Sequence, residues 1–99
     1  MIETETFSQV GGARFDFFNA TWPFAKIKVS SNAIELKCFS RKYKFEKDEI
    51  KELREYIGMI SKGLLIEHRL KNYPKHIVFW TFSFNRLKNS LEKFGYSVN

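Results

Sequence analysis

Hydrophobic and polar residues alternate with period two through most of this chain, and the period changes only near its end. Ala25, Ile27 and Val29 interleave with Lys26 and Lys28, Ser30-Ser31-Asn32 supplies turn chemistry, and Ile34, Leu36 and Cys38 then interleave with Glu35 and Lys37. Alternation on both sides of a polar turn predicts an antiparallel hairpin with one dry face and one wet face. Tyr43 and Phe45, set between Lys42, Lys44 and Glu46, extend the meander after a break at Ser40-Arg41. Upstream, Arg14 to Phe18 reads as a first strand, preceded by a lead-in over residues 1–12 that ends on Gly11-Gly12, a pair that punctuates structure strongly. Asn19 to Pro23 reads as a turn, because Pro23 fixes its own φ and biases Trp22 towards extended geometry.

A second hairpin is predicted from Leu64 to His68 and Ile77 to Phe82, around the turn residues Lys71-Asn72-Tyr73-Pro74-Lys75. Its second strand is apolar on both faces, so something other than solvent must cover one of them, and the element that follows is the natural cover. That element is a helix over residues 83–95. Phe84, Leu87, Leu91 and Phe94 recur at helical spacing, Ser83 is placed to cap the first turn, Lys93 lies in the last turn, and Gly95 sits where a helix commonly stops. Residues 46–57 admit two readings. Ile50, Leu53 and Ile57 are at helical spacing, whereas Leu53 to Ile57 also alternates as a strand. The strand is the better choice, because the neighbouring segments are strand-like and sheets readily override propensity.

Composition narrows the function classes. With 99 residues, 43% hydrophobic and 17% aromatic, including eleven Phe, the chain suits one folded domain spanning 1–99 and no more. The lone Cys38 excludes an internal disulfide and a cysteine-based zinc site, and its apolar setting is that of a small buried hydrophobe. The opening Met1-Ile2-Glu3-Thr4-Glu5 is acidic where a signal peptide is basic, and no run approaches the ~18 apolar residues of a membrane span. A cytoplasmic, reducing setting is therefore expected. The formal charge of +6 favours anionic partners at long range, yet the basic residues are scattered and form no continuous run.

The order of strands and closing helix resembles the bacterial pleckstrin-homology-like (PH-like) domains. The resemblance is carried by Asn19-Ala20-Thr21-Trp22-Pro23-Phe24-Ala25-Lys26 leading into a hairpin, by Tyr43-Lys44-Phe45-Glu46-Lys47-Asp48-Glu49-Ile50, by Ile66-Glu67-His68-Arg69, by Ile77-Val78-Phe79-Trp80, and by the helix. It implies a mainly β fold, a bent antiparallel sheet or barrel of about seven strands with a C-terminal helix plugging one end. It also favours the strand reading of 51–57, and it implies little about chemistry, since that scaffold hosts phosphoinositide, peptide and protein ligands.

The candidate sites follow. Lipid-binding PH relatives carry a basic residue in the first strand and a basic-x-basic step opening the second. Arg14 and Lys26-Ile27-Lys28 are the nearest match here, although the loop between them carries no cation. Arg69, Lys71 and Lys75, with His76, form a second basic cluster at the tip of the late hairpin. Tyr43 and Phe39 beside Arg41, Lys42 and Lys44 are candidates for stacking on single-stranded nucleic acid. His68 and His76 with Glu67 lack a third convergent metal ligand, and Cys38 with either histidine is only a list of reactive types. The expectation is a non-catalytic binding module with no cofactor, acting through protein–protein contacts or self-association. The alternative is binding of anionic lipid headgroups or nucleic acid through the basic surface.

Overall fold

Strict alternation folds as strand throughout the computed structural model, which describes residues 5–15, 18–58 and 61–99. The elements are β1 (Phe7–Phe15), β2 (Phe18–Val29), β3 (Ala33–Cys38), β4 (Arg41–Glu46), β5 (Ile50–Ile57), β6 (Lys62–His68), β7 (Ile77–Thr81) and α1 (Phe84–Lys93), with one 3-10 turn at Lys47–Glu49. All paired neighbours are antiparallel, in the order β4-β3-β2-β1-β7-β6-β5. Two meanders, β1–β4 and β5–β7, are thus joined through β1 and β7 into a curled half-barrel, compatible with the PH-like order.

The alternating sets land as expected. Ala25, Ile27 and Val29 of β2 and Ile34, Leu36 and Cys38 of β3 all enter one core with Phe45, Leu64, Ile66, Ile77 and Phe79. Phe84, Leu87 and Leu91 of α1 join that core from the concave side. Residues 50–57 form a strand, and the pairing of Leu53 with Ile66 and Arg54 with Leu65 overrides the local helical spacing. Only the single turn at Lys47–Glu49 remains helical, with the Glu46 N–H donating to Glu49 Oε1 at 2.8 Å.

The structure corrects four expectations. Residues 7–12 are not a lead-in but most of β1; residues 1–4 lie outside the described residues. Gly11 sits inside the strand because β7 passes too close for a side chain. A Cβ there would lie 2.0 Å from the Trp80 carbonyl oxygen and 2.7 Å from Phe79 Cζ. Asn19 to Pro23 is likewise strand rather than turn. Phe15 pairs with Phe18 across residues 16 and 17, which lie outside the described residues, as do the last positions of the expected first strand before Phe18. Third, Ser83 occupies the N-cap without side-chain capping; its N–H bonds instead to Thr81 Oγ1 at 3.1 Å, and its carbonyl accepts from Gln9 Nε2 at 3.1 Å.

The fourth concerns the strand that is apolar on both faces. Its inward residues, Ile77 and Phe79, lie in the core beneath α1, but Val78 is buried on the other face and lies outside the core cluster. Neighbours on the sheet cover that outer face. Val78 is flanked by Arg14 and Leu65, and the Trp80 indole lies beside Gly63, edge-on to Tyr56 with centroids 5.1 Å apart.

The end of α1 is built as its sequence implied. Gly95 has φ +91°, the left-handed region that glycine adopts freely. It lets Gly95 N–H reach Glu92 O at 3.1 Å and Tyr96 N–H reach Leu91 O at 2.9 Å, the paired bonds of a Schellman motif. Tyr96 is thereby turned inward, where its hydroxyl donates to Ser30 O at 2.8 Å. Beyond it, Asn99 N–H donates to Leu53 O and Glu55 N–H to Asn99 O, both 2.8 Å, so the chain covers part of the exposed edge of β5.

Candidate functional site

Hairpin register decides which outward side chains meet. Lys26 of β2 faces Lys37 of β3, and Lys37 faces Lys42 of β4, so three lysines form one cross-strand row. In the adjacent row Lys28 faces Glu35, and Glu35 faces Lys44. Directly opposed residues have Cβ atoms ~5 Å apart, and like charges so placed are destabilising. Glu35 is the one carboxylate inside this field among the described residues, with Glu46 further along β4. A hydrogen bond from Lys42, at 3.0 Å, holds the Glu35 carboxyl below its ordinary range; the charges of Lys28 and Lys44 act in the same direction against the opposing effect of burial.

The next outward position on the same face is aromatic. Ala25 pairs with Cys38, and immediately beyond them Phe24 and Phe39 stack at 5.4 Å with an interplanar angle of 21°. Both rings are more than half exposed, at 53% and 56%. Phe39 has φ +55°, a bulky residue in the left-handed region at the first position of a two-residue hairpin loop where glycine is usual. Phe24 reaches the surface because β2 bulges. Gly11 pairs with Ala25 and Ala13 with Ala20, so Thr21 to Phe24 stand opposite Gly12 alone, with a cis Trp22–Pro23 bond in the bulge. Proline in a strand is found at such irregularities. Trp22, also thrown outward, meets Phe82 at 6.2 Å; the two are 55% and 68% exposed.

At the end of the half-barrel opposite α1, aromatic side chains close the interior. Phe15 contacts Phe18 and Tyr43, Tyr43 contacts Tyr73, and Tyr73 contacts Phe45 and His68, with centroids 4.9 to 6.1 Å apart. The Tyr73 hydroxyl accepts from Lys44 N–H at 3.3 Å, tying the loop after β6 to the outer strand β4.

The sequence-derived candidates separate on this scaffold. Lys26 and Lys28 are exposed on the outer face of β2, as expected, but Arg14 is not gathered with them. It lies four positions along β1 from Val10, the residue facing Lys26, or about 13 Å at ~3.3 Å per residue. Arg69, Lys71 and Lys75 are exposed in the loop between β6 and β7. Tyr43 is half-buried and packed between Phe15 and Tyr73, so of the two proposed stacking residues only Phe39 is at the surface. The sequence reading missed Lys37 and Phe24 as site residues, and the signal lay in the hairpin itself, since a turn centred between Ser31 and Asn32 places Lys26 opposite Lys37.

Cys38 and His68 are both tied into the packing. Cys38 is fully buried, and burial pushes its thiol up, against a smaller opposing effect of Arg41. His68 Nδ1 accepts from Leu70 N–H at 3.0 Å, which fixes the tautomer, and Nε2–H donates to Pro74 O at 2.7 Å. Both nitrogens of that ring are therefore engaged in shaping the loop. Among the described residues no group of three His, Cys, Asp or Glu side chains converges as a metal site, and no helix is long and apolar enough to cross a membrane.

Against this geometry, no family model matches the sequence, and no curated protein is detectably similar to it.

Proposed function

We propose that this chain is a non-catalytic binding module of bacterial PH-like type, working in the cytoplasm through protein–protein contacts, with a second copy of itself as the partner. The observation that carries this reading is the pair Trp22 and Phe82, two large apolar side chains mostly in solvent and held against each other by a strand bulge. Ile57, 76% exposed, is a further large apolar side chain in solvent, two strands away in the row Ile57–Lys62–Thr81. Aromatic side chains of this kind anchor interfaces, because they bury much area at low entropic cost. The free, buried Cys38 suits a reducing compartment.

Sedimentation from micromolar to millimolar protein, at low and high salt, tests the proposal. The mass is expected to rise with concentration, to change little with salt, and to fall back to monomer in the double variant Trp22→Ser, Phe82→Ser. A wild-type monomer at millimolar concentration overturns it.

A further inference from the structure

We infer that the outer face of β2, β3 and β4 is a binding surface for single-stranded nucleic acid, separate from the Trp22–Phe82 contact. Three successive ranks cross this face. Lys28, Glu35 and Lys44 form the first, Lys26, Lys37 and Lys42 the second, and the stacked pair Phe24 and Phe39 the third. Five lysines thus share one sheet face with Glu35, which pairs with Lys42, while Lys26 and Lys37 of the second rank face each other directly. A single strand offers the complement, a line of phosphates for the lysine ranks and an unpaired base for the aromatic rank.

Two features favour this partner over other polyanions. The phenylalanines share one sheet face with the lysines, so the stacked rings are bordered by cations on the same surface. Stacking on an unpaired base between phosphates needs rings and cations side by side, whereas insertion into a bilayer needs an apolar surface clear of charge. In a duplex the bases are already stacked on one another, and the Phe24–Phe39 rank then has nothing to receive. The left-handed backbone of Phe39 is the second feature. Glycine is the ordinary residue at that turn position, yet a large ring is held there, more than half exposed, stacked on Phe24 and edge-on to Phe18.

Fluorescence anisotropy with labelled oligothymidylate and oligouridylate, over a series of salt concentrations, tests the assignment. Neutralising about three phosphates gives a slope of log affinity against log salt of about −2. The variant Lys26→Gln, Lys37→Gln, Lys42→Gln is expected to lose most of the affinity and flatten that slope. Phe24→Ser is expected to weaken binding about tenfold with the slope kept. A control of equal charge loss, Lys51→Gln, Arg86→Gln, Lys88→Gln, should bind within about twofold of the wild type, because distant exposed charges are largely screened. Backbone amide shifts of the unaltered protein, titrated with the same oligonucleotide, should cluster at residues 24–28, 35–39 and 42–44, which covers the case of a variant that fails to fold. Four outcomes overturn the inference: no binding at low salt, equal loss in the control, duplex bound as tightly as single strand, or preference for phosphatidylserine vesicles over the oligonucleotide.

Discussion

Replacing Tyr96 by Phe removes one hydroxyl from the point where the end of α1 meets the turn between β2 and β3. That hydroxyl donates to Ser30 O at 2.8 Å, and the ring is held inward by the Schellman turn at Gly95. Loss of one such hydrogen bond costs about 0.5–1.5 kcal/mol and leaves the Ser30 carbonyl without that donor. The effect depends on pH with a calculable sign. Burial raises the Tyr96 phenol to about 12 from an unfolded value of 10.0. Below pH 10 the phenol is protonated in both states and the native contact is intact. Between 10 and 12 the unfolded chain releases the proton while the folded chain keeps it, so stability falls as pH rises. Two decades of pH set a ceiling of ~2.7 kcal/mol on that loss, and screening by adjacent solvent reduces it to about 1–2 kcal/mol. Urea unfolding of both proteins from pH 8 to about 12 measures the difference directly. The wild type is expected to be more stable by about 1 kcal/mol at pH 8, and the two should converge or cross near the top of the range. Taking the difference between them cancels the other tyrosines and the lysines. Parallel curves across the whole range would refute the assigned burial of the phenol.

Three further substitutions probe packing and the surface. Gly11→Ala drives a methyl group into the Trp80 carbonyl and should cost about 3 kcal/mol or more, or prevent folding, as read by the denaturation midpoint. Leu91→Ala empties a fully buried position of α1 that also accepts the Schellman bond, and about 2–5 kcal/mol should be lost in the same assay. Lys37→Thr removes the middle charge of the three-lysine rank. Two unit charges ~6 Å apart in water repel by ~0.7 kcal/mol before screening, so this change should stabilise the fold by about 0.5–1 kcal/mol, with less gain at high salt.

Where burial and spacing coincide, the sequence carried its structure openly. The inward residues of β2 and β3 and the α1 stripe of Phe84, Leu87 and Leu91 are legible because each enters the core at its own period. Residues 7–12 were hidden because Gly11-Gly12 carries the local mark of a turn, while its cause is the close approach of β7 from far along the chain. Pro23 misled in the same way, since a bulge of four residues opposite Gly12 accommodates it within a strand. The Ser83 position was readable, but its hydrogen bonds were not. They depend on Thr81 and Gln9, whose places are set by the sheet. The lysine ranks are legible only once register is known, because Lys26, Lys37 and Lys42 are individually ordinary surface residues of three strands.

The union of β1 with β7 has a kinetic consequence. Each meander is made from hairpins between consecutive strands, and such local pairings form early. The rows Phe15 with Ile77 and Gly12 with Trp80 instead close a loop of more than half the chain, whose entropic cost falls due before any native contact across it forms. The step that joins the halves should therefore set the folding rate, and β1 and β7 expose unpaired edges until it is complete. Slow joining leaves two sticky ribbons in solution until the β1–β7 register from Gly12 with Trp80 to Phe15 with Ile77 is made.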